Sequence, residues 1–162
     1  MQQYSRIKRF VRQTLGCSCP EYVFDTIECV NEVDGIRSTR ITVGNRLLIY
    51  LVRTCAVSGI DSIINDALAQ GVRERDKKGL NRFRLVLVTL HRDELSDRAG
   101  DVFAGSPCAD ESTHLHLVHP DDVEGIRLAS GIIQTAMHVS RRTGYSPGFS
   151  RSGQRCLVAT GF

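Results

Sequence analysis

Hydrophobic positions along the chain change their period several times, and each change marks a predicted element. The first apolar set at helical spacing comprises Ile7, Phe10, Val11 and Leu15. Gly16 directly after this set is a natural C-cap, so a helix is expected over about residues 3–15. Pro20, with the acidic Glu21 beside it, suits the first turn of a short second helix extending to about Cys29.

A hairpin is expected next. Residues 36–43 and 47–54 are apolar or β-branched runs separated by Gly44-Asn45, a strong signal for a two-residue turn. The second run is apolar at neighbouring positions and not only at alternate ones, which is typical of a strand in the middle of a covered sheet.

Helical and strand patterns alternate after the hairpin. Ser58 and Asp61 resemble a capping pair before an apolar helical stripe, and a second two-faced strand follows at residues 83–90. Asp93 can cap a further helix, and a short alternating strand runs over residues 113–118. A last apolar stripe, expected to be helical, opens at Pro120-Asp121-Asp122 and continues to Met137.

The predicted order is α-α-β-β-α-β-α-β-α, in which helices between strands favour two right-handed parallel crossovers. We therefore predict an α/β or α+β fold. It has a mixed four-stranded sheet with helices packed on it, preceded by a two-helix N-terminal segment. Residues 1–140 are expected to form a single domain. Residues 141–162, rich in Gly, Ser and Arg and without a hydrophobic period, are predicted to be a flexible basic tail.

Composition narrows the class of protein. The 162 residues are 41% hydrophobic and 24% charged, an ordinary globular balance that can form a core without disulfides or metal. The sequence contains no stretch of roughly 18 apolar residues and no apolar leader at its start, so a membrane protein or a secreted scaffold is not expected. A net charge of +3 is too small to imply nucleic acid as a partner. A cytoplasmic protein is predicted.

Among the six cysteines, Cys17 and Cys19 stand close together in the predicted turn between the first two helices. Reduced thiols are expected in a cytoplasm. With Cys19 as N-cap of the second helix, unpaired N–H groups and the helix dipole would lower the thiol pKa, making a better nucleophile or metal ligand. Zinc and an iron–sulfur cluster are the candidate cofactors.

Two features weaken the metal interpretation. A Cys-x-Cys pair is shorter than the usual zinc-knuckle spacing, and Cys29 would lie about 15 Å away along the second helix. The alternative is that both cysteines pack as small apolar residues in a turn shaped by Gly16 and Pro20.

Histidines form a weaker candidate cluster on the predicted strand over residues 113–118. His114 and His116 share one face, opposite Leu115 and Leu117, and two imidazoles on one face can chelate a metal. A solvent-facing strand side is the favoured alternative.

Positive charge dominates the segment RERDKKGLNRFRL, which includes Arg82 and Arg84. A phosphate-bearing ligand or nucleic acid could use such a stretch at a strand end. A solvated connection is favoured, because aromatic residues are not interleaved with the charges.

The stretches FVRQTLGCSCPEYVF, NRLLIYLV and GLNRFRLVL resemble a family of small uncharacterised prokaryotic proteins with an LGCxCPxxVF-like N-terminal motif. The resemblance covers about the first two thirds of the chain. It carries no function over, and it implies only that the cysteine turn is a family feature.

Two functions follow from these residues. The first is a small metal- or thiol-based redox or accessory module that uses the Cys-x-Cys turn. The second is a non-enzymatic binding or self-assembly domain, forming a homo-oligomer, in which the cysteines are structural. The sequence assigns no catalytic residue, because it contains no P-loop, Rossmann glycine signature or nucleophile elbow.

Overall fold

The N-terminal helix agrees with its prediction. A computed structural model describes residues 2–33, 36–55 and 57–129. Helix α1 (Gln2–Arg9) continues as a π-helical stretch over Phe10–Thr14. Gly16 follows with φ +64°, a left-handed conformation that glycine adopts without strain. The predicted helix and its glycine end are confirmed.

The second predicted helix is wrong beyond its first turn. A 3-10 helix covers Glu21–Asp25, and Thr26 is already extended at φ −120°. Strand β1 (Ile27–Val33) follows and pairs antiparallel with β2 (Ile36–Val43). Cys29 therefore lies on a strand. Pairing with β2 outweighs the helical spacing of a few apolar residues, and the described residues form a five-stranded sheet instead of a four-stranded one.

The rest of the sheet has the predicted mixed character. β3 (Leu47–Arg53) is antiparallel to β2, and the turn between them places Gly44 and Asn45 at φ +58° and +52°. These left-handed values match the tight hairpin turn that Gly-Asn predicted. β4 (Arg82–Val88) and β5 (Thr113–Val118) add in parallel, which gives the order β1-β2-β3-β4-β5.

The two crossovers are helical. α2 (Ile60–Lys77) joins β3 to β4, and α3 (Arg92–Gly105) joins β4 to β5. Both pack on one face of the sheet, whereas α1 and the π-helical stretch pack on the other. β3 serves both cores, because Ile49 and Leu51 contribute to the α1 side and Tyr50 to the α2 side. The prediction of a central strand buried on both faces is confirmed.

The last predicted helix is wrong over its first ten residues. A 3-10 helix covers Pro120–Val123, and Gly125, at φ +77°, leaves the helical conformation. The remainder of that prediction and the predicted tail at 141–162 lie outside the described residues. No helix in the described part of the chain is long and apolar enough to cross a membrane.

Candidate functional site

Cys17 and Cys19 form a disulfide in the turn between the π-helical stretch and the first 3-10 helix. Their Cα atoms are 5.4 Å apart, a usual separation for bridged cysteines. The predicted reduced state is therefore not the one observed. Both cysteines are half-buried against the core on the α1 side, and Ser18 between them is exposed.

The local sequence explains how this turn is held. The left-handed Gly16 reverses the chain, which lets the Cys17 N–H donate to the Val11 carbonyl at 3.0 Å. Pro20 then fixes an extended exit at φ −58° and ψ 155°. Pro20, and not Cys19, caps the following helix, which has only five residues. The dipole expected to act on Cys19 is accordingly small.

Charged side chains surround the cysteine turn. Arg12 reaches the Cys19 carbonyl at 3.4 Å and forms an ion pair with Glu21 at 2.7 Å. Lys8 bonds to the same carboxylate. Both cations also lie over the ring of Phe24, at 5.7 Å for Lys8 and 4.9 Å for Arg12. Two positive charges and one negative charge therefore lie next to the cysteine turn.

Three further cysteines are free thiols in the described residues: Cys29, Cys55 and Cys108. Gln3 donates to the Cys29 sulfur at 3.3 Å. Burial nevertheless raises the pKa of the Cys29 thiol, because desolvation outweighs that hydrogen bond. Burial thus disfavours the reactive thiolate form of Cys29, whereas Cys55 is exposed.

The histidines on β5 share one face as predicted, but that face is half-buried and not solvent-facing, and the histidines have a partner that sequence reasoning missed. His114 and His116 are half-buried on the α1 side of the sheet, while Leu115 and Leu117 pack on the α2 side. Arg84 of β4 is hydrogen-bonded to His116, with 2.9 Å between Nη1 and Nε2. Burial, followed by repulsion from Arg84 and His114, lowers the pKa of His116 to about 4. Its imidazole is neutral at pH 7.

The sequence held a signal for this contact. Arg84 is a charged residue between the apolar Phe83 and Leu85 of β4, where it shares a face with Val86 and Val88. A charge in such a position predicts a polar partner on the neighbouring strand. Its identity needed the β4–β5 register, which places Arg84 beside His114.

The predicted metal ligands are not assembled into one cluster. Within residues 2–33, 36–55 and 57–129, no three His, Cys, Asp or Glu side chains are grouped so that they could hold a metal ion. Cys17 and Cys19 lie together in one turn, and His114 and His116 lie on β5. Metal binding by these four residues stays a prediction.

A polar groove of about 260 Å³ lies between the N-terminal helix and the last 3-10 helix. Its charged lining residues are Arg6, Arg9, Asp121, Asp122 and Glu124. Both signs of charge occur in it, and Arg6 donates to the Glu124 carbonyl at 3.1 Å. These contacts hold the N-terminal helix against the segment after β5.

Comparison with known proteins yields no relative. No protein-family model, no curated protein and no solved structure matches the chain at a significant level. The functional argument therefore rests on the residues themselves.

Proposed function

We propose that the protein is a thiol–disulfide redox module whose reactive group is the Cys17–Cys19 pair. The supporting observation is the position of the two sulfurs. They are joined within one turn that is half-buried, with exposed Ser18 between them. A bridge at the surface can be reached by a second thiol, which exchange chemistry requires.

A purely structural bridge is poorly suited to this position. The disulfide spans a sequence separation of 2, so it joins no distant elements. Loop-closure entropy for so short a loop gives less than about 2 kcal/mol of stabilisation. A domain of this size can bury enough apolar surface to fold without such a contribution.

The charges beside the turn favour the thiolate form of an opened bridge. Lys8 and Arg12 supply two positive charges against the single carboxylate of Glu21. Neighbouring cations lower a thiol pKa and raise the fraction of thiolate, the attacking species. The fixed orientation of Arg12, over the Phe24 ring and near the Cys19 carbonyl, keeps its charge close.

The reaction has two balanced half-steps. Two equivalents of a low-molecular-weight or protein thiol reduce the bridge: the first forms a mixed disulfide with one cysteine and frees the other, and the second releases the oxidised thiol. The resulting dithiol then attacks a substrate disulfide, reforms its own bridge and releases two substrate thiols. Two electrons and two protons pass from the thiol to the substrate in each cycle.

The test is exchange activity with matched cysteine variants. Wild-type protein is expected to catalyse reduction of a small aromatic disulfide by glutathione, measured from the released thiolate. The Cys17→Ser/Cys19→Ser double variant should lose that catalysis, and Cys55→Ser, which removes an exposed free thiol, should retain it. Equal rates for wild-type protein and the double variant would overturn the proposal.

Metal content separates this function from metal handling. Protein purified without oxygen and without chelator is expected to contain no stoichiometric zinc or iron. Stoichiometric metal that is lost in the double variant, together with absent exchange activity, would replace the redox function with a metal site at the same turn.

A further inference from the structure

Arg84 carries a buried charge that no carboxylate compensates in the described part of the chain. The residue is 7% exposed, and it takes part in no ion pair there. Burial lowers the pKa of Arg84, and repulsion from Arg82 lowers it further. Buried charges are costly unless they are paired, so an isolated buried guanidinium calls for an explanation.

Arg75 is a second buried arginine in this fold, and unlike Arg84 it is paired with carboxylates. It is as buried as Arg84, at 6% exposed. Asp110 binds it at 2.7 Å and Asp76 at 2.8 Å, and the Thr113 hydroxyl lies 3.0 Å from its Nη1. Each nitrogen of the Arg75 guanidinium lies within hydrogen-bond distance of an oxygen atom. The Arg84 guanidinium is instead hydrogen-bonded to a neutral imidazole.

Unused polar atoms cluster around Arg84. Its Nε and the Nδ1 of His114 are both buried without a hydrogen-bond partner. The two residues are neighbours across the β4–β5 register, and His116 completes the group through its 2.9 Å contact with Arg84. Arg82, two residues earlier on the same face of β4, is exposed and adds a second positive charge.

We propose that this group on β4 and β5 binds an oxyanion, the phosphate group of a small molecule. The planar guanidinium can donate two parallel hydrogen bonds to two oxygens of a phosphate. The negative charge of the phosphate offsets the positive charges of both Arg84 and Arg82. The imidazoles of His114 and His116 are half-buried beside Arg84. An anion that arrives from solution therefore reaches the guanidinium after a small displacement of these rings. The site does not involve the cysteine pair.

The probe is inorganic phosphate, titrated at constant ionic strength with chloride as the balancing ion. Binding is followed by calorimetry and by the NMR signals of the histidine rings. Saturable binding that shifts the His114 and His116 signals is expected. Arg84→Met should weaken it at least about tenfold. Arg73→Met removes one exposed positive charge from α2 on the other side of the sheet, and it should leave the affinity unchanged.

Two measurements keep the test decisive. Arg84→Met is expected to fold, because it removes a charge that has no counterion, and thermal unfolding checks this. Phosphate should raise the Tm of the wild-type protein and not that of Arg84→Met. Arg84→Lys keeps the positive charge but cannot donate two parallel hydrogen bonds, so this variant should bind phosphate more weakly than wild type. The inference is overturned by the absence of saturable binding, by equal affinity in Arg84→Met, or by acetate binding as well as phosphate.

Discussion

The ring of Phe83 on β4 occupies the space that a side chain at Gly71 on α2 would fill. A Cβ built at position 71 would overlap the Phe83 ring, which is itself fully buried. α2 therefore approaches the sheet closely at this point, and glycine is the residue that permits it. Tyr50 of the neighbouring strand β3 packs edge-on against the same ring, with ring centroids 5.2 Å apart.

Substitution of Gly71 is expected to lower the stability of the protein. Gly71→Ala gains about 1 kcal/mol of helix propensity, but overpacking against Phe83 costs about 1–3 kcal/mol. We expect a net loss in the free energy of unfolding, measured by urea denaturation. Gly100→Ala in α3 is the control, because nothing lies within 4 Å of its added Cβ. That variant should be neutral or stabilised, and a stabilised Gly71→Ala would contradict the packing described.

The neutral state of His116 predicts how stability depends on pH. Its pKa is depressed to about 4 in the folded protein, so the unfolded chain binds more protons between about pH 6.5 and 4. Acidification across that window should remove up to about 3 kcal/mol of stability. His116→Gln should show a flatter pH profile over the same range. NMR titration of the His116 ring checks the assignment directly, and a midpoint near 6.5 would contradict it.

Asp110 and Asp76 both form ion pairs with Arg75, but loss of Asp110 is expected to destabilise the protein more than loss of Asp76. The Arg75 hydrogen bond is the largest influence that lowers the pKa of Asp110, and Ser112 and Thr113 also donate to this carboxylate. Asp110→Ala should destabilise the protein by about 2 kcal/mol, a value discounted because the Asp110 side chain is 43% exposed. Asp76→Ala, whose carboxylate bonds to the same arginine but is 62% exposed, should cost less than about 1 kcal/mol. Equal losses in chemical denaturation would show that Asp110 does not anchor Arg75.

Reduction of the Cys17–Cys19 bridge is expected to leave the fold intact. Because the bridge closes a very short loop, its opening should lower the free energy of unfolding by less than about 2 kcal/mol. Far-UV circular dichroism and thermal unfolding in the presence and absence of a phosphine reductant measure this. Loss of the folded state on reduction would assign the bridge a structural role and argue against the redox proposal.

The sequence was most informative where one physical preference dominated. The Gly44-Asn45 turn, the two-faced β3 and the apolar stripe of α2 were all predicted, because turn chemistry and burial there point to one structure. Strand β1 was missed, since its short run of apolar residues fits a helical period until β2 is available as a partner. Such pairing leaves little trace in the local spacing of apolar residues.

Site prediction was limited in the same way. The cysteine turn is local, so its position could be predicted from Gly16 and Pro20, although its disulfide could not. The contact between Arg84 and His116 joins residues 32 positions apart and depends on the parallel register of two strands. A polar partner for Arg84 could be expected from its apolar neighbours in the chain, but the sequence does not identify that partner as His116.

The strand order has a consequence for how the protein is made. Every strand of the sheet pairs with the strand that precedes or follows it in the chain, from β1 through to β5. The β1–β3 meander is built from pairings between residues near in the chain, which form fast, whereas each parallel pairing, β3 with β4 and β4 with β5, closes a loop that contains a helix and forms more slowly. As the chain leaves the ribosome, the β1–β3 meander can form first and receive each later α–β unit at its open edge. Synthesis and folding can therefore proceed in the same direction.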